Sequence, residues 1–180
     1  MNPIVQLRAG NAAVRLLPAA GGRISALRLA PPGCAAVDVL HPYPEDFFDP
    51  IRWGKGGIYP LIPHSNRIAN ASAQVDGQAV SLAPHPDAAP HTLHGNGHAQ
   101  AWNLEDLNKT SAVMTLDSPA SAAWPWRYSG RMRIELAPDR VTIQIGIRNT
   151  DTRIMPAGIG LHPYFRHQPA AHVGYRATDF

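Results

Sequence analysis

Three short stretches concentrate the residue types that move protons and hold hydroxyl groups. The first is Gly56-Gly57-Ile58-Tyr59-Pro60-Leu61-Ile62-Pro63-His64-Ser65-Asn66-Arg67-Ile68, and the second is His91-Thr92-Leu93-His94-Gly95-Asn96-Gly97 with Trp102 following. The third is Gly158-Ile159-Gly160-Leu161-His162-Pro163-Tyr164-Phe165. Arg67 offers a planar fork of donors for hydroxyl oxygens, and Asn66 offers both a donor and an acceptor. Imidazoles give or take a proton near neutrality, and aromatic rings cover C–H surfaces. The ligand that this set suits is a neutral polyol.

Each residue alone has a plainer reading. An isolated Arg67 is a surface cation, and His162 ahead of Pro163 can end a strand with its ring tied to a backbone carbonyl. His91, His94 and His98 share one loop and could converge on a metal, as in a metal-dependent cupin-like barrel. Zinc asks for three or four ligands and an ordered second shell, and the prolines and glycines around these histidines deny them a helical pair. The expectation is no metal and no cofactor.

Strands must position these stretches. Residues 12–17 and 23–29 alternate apolar and polar with the strand period, and Gly21-Gly22 turns the chain between them. Asp76-Gly77 sits between two β-prone runs in 73–82, a hairpin signal. Residues 131–136 and 141–148 alternate on either side of Ala137–Arg140, with one face for a core and one for solvent. Residues 41–67, which hold Tyr43, Phe47, Phe48 and Trp53, and residues 83–102 read as long irregular loops, where binding sites gather on β scaffolds.

Composition narrows the class. The 180 residues are 44% hydrophobic and 16% charged, which excludes disorder driven by excess charge. Eighteen prolines and 15 glycines weigh against long helices. The net charge is +3, but the 16 Lys and Arg residues are scattered, so no nucleic-acid surface is expected. Cys34 is the only cysteine, which excludes an internal disulfide and fits a reducing cytoplasm. Arg8 and Arg15 interrupt the first residues, so neither a leader nor a membrane span is expected. Two glycosylation-type triplets, at Asn70 and Asn108, read as chance.

Taken in order, Ser65-Asn66-Arg67-Ile68, Val75-Asp76-Gly77, Leu93-His94-Gly95 with a following tryptophan, and His162-Pro163-Tyr164-Phe165 resemble the hallmarks of the aldose 1-epimerases, or galactose mutarotases. The resemblance runs from about Gly21 to Phe165. It implies an all-β fold, an antiparallel β-sandwich of the galactose mutarotase-like supersandwich type with a sugar cleft across one sheet. It also implies a small-molecule aldose as the partner. Asn66 and Arg67 would bind sugar hydroxyls. His94 would orient the ring oxygen and anomeric end, and His162 would protonate the ring oxygen as the ring opens. The catalytic residues would thus be His162 and His94, and the substrate-binding residues Asn66, Arg67 and His94.

Family members are longer, and their general-base glutamate lies near the C-terminus. Glu45, Glu105 and Glu135, the only glutamates here, match none of that position. The expectation is a single incomplete domain over 1–180, truncated at its C-terminus, whose tail from His172 to Phe180 forms no cap. Its function would be interconversion of α and β anomers of a free hexose, with the base missing. A non-catalytic carbohydrate-binding β-sandwich module is the alternative.

Overall fold

Alternation becomes strands wherever one face of the chain meets apolar neighbours. The computed structural model describes residues 4–52, 55–167, 169 and 172–175. Trp53 and the tail beyond Tyr175, both singled out above, lie outside the described residues. The strands are β1 (Val5–Ala9), β2 (Ala12–Leu17), β3 (Arg23–Leu29), β4 (Val37–Asp38), β5 (Ile58–Leu61), β6 (Arg67–Ile68) and β7 (Ser72–Val75). They continue with β8 (Gln78–Ser81), β9 (Thr92–Leu93), β10 (Asn103–Leu107), β11 (Ser111–Ser118), β12 (Tyr128–Leu136), β13 (Val141–Asn149) and β14 (Gly160–Pro163). Two single 3-10 turns, Ala69–Ala71 and Gly97–Ala99, are the only helical elements among the described residues. No helix among them is long and apolar enough to cross a membrane.

The strands form an antiparallel sandwich. One sheet has six strands in the order β1-β2-β3-β5-β14, with β4 also paired to β3, and the other has four in the order β10-β11-β12-β13. Leu7, Val14, Leu16, Ile24 and Leu27 from the first sheet share one apolar cluster with Met114, Leu116, Met132 and Ile134 from the second. Short pairs β6-β9 and β7-β8 stand beside the sheets. The β7-β8 hairpin turns through Asp76-Gly77, both at positive φ, as the local signal anticipates. The β12-β13 hairpin pairs from Tyr128 with Asn149 to Leu136 with Val141. Its β12 face is buried at every second residue, whereas Ile143, Ile145 and Ile147 on β13 are only partly covered. β13 is the outermost strand of its sheet, so one flank of that apolar row has no strand beside it among the described residues.

Two features lie outside the sequence reading. Residues 58–61, taken above as loop, form β5 between β3 and β14. All four residues are buried, so no alternation marks them, and Pro60 argues locally against a strand. The pair Gly21-Gly22, read as a plain turn, is also a site of close approach. A Cβ at Gly21 would lie 2.0 Å from the His98 carbonyl oxygen, and one at Gly22 would lie 2.9 Å from the Trp102 ring. Trp102 is 3% exposed and donates its indole N–H to the Gly97 carbonyl at 2.9 Å, so it anchors the histidine-bearing loop to the core.

Removing the Ile134 side chain, which is fully buried in the shared cluster, is expected to cost about 3 kcal/mol. Gln144→Ala, on the exposed face of the same hairpin, should stay within about 0.5 kcal/mol of the parent. Urea midpoints at unchanged slope measure both.

Candidate active site

The site forms on the face of the six-stranded sheet that points away from the core. A bulge in β3 decides which residues stand there. Arg15 faces Ala26 while Leu16 faces Ile24, so Ser25 is the extra residue. Ile24 and Leu27 therefore both reach the core, and Arg23 falls on the opposite face. On β5, Ile58 packs in the core and Tyr59 points the other way. Tyr59 and His162 are direct cross-strand partners in the β5-β14 pair. Their rings stack at 5.0 Å with planes 12° apart, and Tyr164 stacks on His162 at 4.8 Å and 22° while lying 6.3 Å from Tyr59.

His94 arrives from a different part of the chain. Arg67 pairs with Leu93 across β6-β9, which brings the Asn66-Arg67 stretch alongside His94. A reciprocal clamp holds the junction. The Asn66 amide N–H donates to His94 Nδ1 at 3.0 Å, and the His94 amide N–H donates to the Asn66 carbonyl at 2.9 Å. The Arg67 amide N–H donates to Asn66 Oδ1 at 2.9 Å. Asn66 and His94 both adopt left-handed backbone conformations, with φ of 63° and 61°. Such conformations are unfavourable for side-chain-bearing residues, least so for asparagine, and persist where surrounding bonds enforce them. Gly95 follows with φ +69°, so close to the 62–63 backbone that a Cβ would lie 2.3 Å from the Ile62 carbonyl oxygen. The His94 ring then meets His162 edge-on at 5.5 Å.

Four of the sequence-predicted residues thus come together. Asn66 and Arg67 are exposed at the rim, while His94 and His162 are half-buried. With Nδ1 of His94 accepting a hydrogen bond, its neutral form carries the proton on Nε2. Burial, reinforced by the neighbouring His162, His64 and Arg67, pushes the His94 pKa down to about 4. Burial and then the Arg23 charge lower His98 to about 3, and His162 is lowered chiefly by burial, with Arg23 contributing. At neutral pH His94 and His98 are therefore uncharged imidazoles, near the exposed Arg67.

The three histidines of the 91–98 loop separate. His91 Nδ1 accepts from the Asn70 amide, His94 faces the site, and His98 is buried against Tyr59 at 5.4 Å. Among the described residues, no group of three His, Cys, Asp or Glu side chains is placed to hold a metal ion. Each glutamate engages an arginine: Glu45 binds Arg15 and Ser25, Glu105 lies 3.8 Å from Arg131, and Glu135 binds Arg133.

Sequence reasoning assigned no sugar-site role to Arg23, Tyr59, Tyr164 or His98 by number, His98 having been weighed only as a metal ligand. Tyr59 and Tyr164 stood inside the quoted stretches as stackable rings, which was a signal. Arg23 had none, since simple alternation hides the bulge that turns it toward the site.

Two expectations follow from this geometry. The unfolded chain's imidazoles titrate near 6.5, so between that value and about 4 the folded chain binds fewer protons. Stability should therefore be greatest above pH 6.5 and decline as pH falls. Urea midpoints at pH 7.5 and 5.5, above the carboxylate range, should drop, with His94 and His98 resonances still at their neutral positions. Gly95→Ala should cost more than about 2 kcal/mol in the same assay, since a strained φ and a backbone clash add.

The profile of the aldose 1-epimerase family matches residues 3–174. The Escherichia coli K12 protein YihR is 30% identical over 105 residues, covering 58% of this chain and 34% of that protein. YphB from the same organism is 24% identical over 122 residues, covering 68% of this chain and 41% of its own length. Among solved structures, the GalM/aldose epimerase homologue from C. elegans superposes with a TM-score of 0.75 at 14% identity, over 92% of this chain and 51% of that one. The chain thus spans less than half of the two bacterial proteins and about half of the solved structure. With the profile matching nearly its whole length and the sandwich superposing, this chain belongs to the aldose 1-epimerase family.

Proposed function

We propose that the chain carries the sugar-holding and proton-donating part of an enzyme that interconverts the α and β anomers of a free aldose. The observation that carries this reading is the meeting of His94 and His162 at 5.5 Å beside Arg67 and Asn66, on a face floored by stacked rings. A pyranose presents hydroxyls around its edge and C–H groups on its faces. Arg67 and Asn66 would donate to the hydroxyls, and the partly exposed rings of His162 and Tyr164, backed by buried Tyr59, would present ring surface to the sugar.

Ring opening requires a proton delivered to the ring oxygen and one withdrawn from the C1 hydroxyl. His162 would deliver the first. His94, whose Nε2 carries the proton in its neutral form, would donate a hydrogen bond that orients the ring oxygen and anomeric end. The resulting aldehyde rotates about C1–C2 and recloses on its other face with the proton flow reversed. The base would come from outside these residues, because the three glutamates are held by Arg15, Arg131 and Arg133. In this reading residues 1–180 are part of one larger sandwich domain acting on a cytoplasmic sugar. A non-catalytic carbohydrate-binding module is the second reading, favoured by that engagement of all three glutamates.

Polarimetry on fresh α-galactose or α-glucose, with the full-length protein, tests the proposal. His162→Ala should lower kcat by at least about 100-fold, whereas Arg67→Ala should act mainly through KM. Full activity in the His162 variant would refute the assigned donor. Sugar binding by calorimetry without any acceleration would support the module instead.

A further inference from the structure

Arg23 is the largest fully buried side chain among the described residues, with no measurable exposure. Its guanidinium carbon lies 4.0 Å from the Tyr43 ring centroid and 4.6 Å from that of Tyr59. Its Nη1 donates to the Gly56 carbonyl at 3.0 Å, while Nε and Nη2 have no hydrogen-bond partner among the described residues. None of the seven ion pairs found there involves it. A buried cation without a carboxylate is costly, and two aromatic faces offset only part of that cost. An apolar residue would pack there more cheaply, so the charge itself calls for an explanation.

The explanation lies in what else packs on Tyr59. That ring has the guanidinium near it and His162 stacked on it at 5.0 Å, with Tyr164 beside both. We propose that Arg23 is a positioning residue for His162: held between Tyr43 and Tyr59, it fixes the ring on which the imidazole stacks and sets a permanent positive charge one ring away. The groups facing His162 are Tyr59 on β5, His94 beyond β9, Tyr164 at the end of β14, and Arg23 on β3 through Tyr59. At neutral pH His94 is uncharged, and Arg23 is the fixed charge that acts on His162. A nearby cation makes the imidazolium a stronger acid, so a proton on His162 is transferred more readily. This deepens the mutarotase reading and rests on it in calling His162 the proton donor.

Histidine Cε1 resonances of the full chain, followed against pH without sugar, supply the test, with His162 assigned by its loss in His162→Gln. The wild-type midpoint should lie below 6.5. Arg23→Met should raise it by about one unit, a tenfold gain in protonated fraction on the alkaline side. Arg23→Lys, which keeps the charge, should hold it within a few tenths. Arg23→Gln is read as Met is, should the Met protein not fold. A wild-type midpoint at or above 6.5, or an unmoved midpoint in a folded neutral variant, overturns the proposal. Polarimetry on the same samples separates the two claims. An inactive wild type with a shifting midpoint would refute the mutarotase reading and support the electrostatic link, whereas an active one with an unmoved midpoint would refute the link alone.

Discussion

A guanidinium with no exposure and no counter-ion among the described residues sets the terms for the sheet around it. Burying a charge costs several kcal/mol, and the structure answers with two tyrosine faces and one carbonyl. Those partners come from separate places. Tyr43 and Gly56 lie in the segment before β5, and Tyr59 lies on β5 itself. Holding one cation thus ties Tyr43 and Gly56 to the sheet and fixes the Tyr59 ring on which His162 stacks. Rings on the outer face of a sheet would otherwise be free to tilt, but here Tyr59, His162 and Tyr164 pack against one another.

The second constraint is the clamp between Asn66 and His94. Neither residue sits in a favourable backbone region, and each satisfies an amide N–H of the other. The clamp allows two short strands, β6 and β9, to aim an arginine and an imidazole at a sheet to which they do not belong. Trp102 and Tyr128 extend the support toward the second sheet, the former through Gly97 and the latter through a 2.6 Å hydrogen bond to Asn96. Placement of His94 is therefore rigid although its loop has almost no regular structure. Local strain at a site of this kind is offset by bonds distributed over several elements.

The sandwich is unevenly covered. β12 is sealed between its neighbours, while the apolar residues of β13 and β14 border an open cavity of about 440 Å3 lined by Leu27, Leu29, Val141, Ile143, Leu161 and Phe165. Relatives of the chain extend well beyond the part it matches.

The outline of the protein was legible in its residues because alternation, turn chemistry and motif order are local properties. Strands 12–17 and 23–29 have the bounds that their patterns suggest, the Asp76-Gly77 turn closes the expected hairpin, and the order of the four motifs pointed to the family that the profile match shows. Asn66, Arg67, His94 and His162 were legible as candidates for the same reason. β5 was not, because a strand buried on both faces carries no period. Nor was Arg23, whose side is chosen by a one-residue bulge that depends on how β2 and β3 pair. The protonation of the imidazoles also depended on tertiary structure, since burial and a charge from another strand are properties of the assembled sheet, not of the sequence around each histidine.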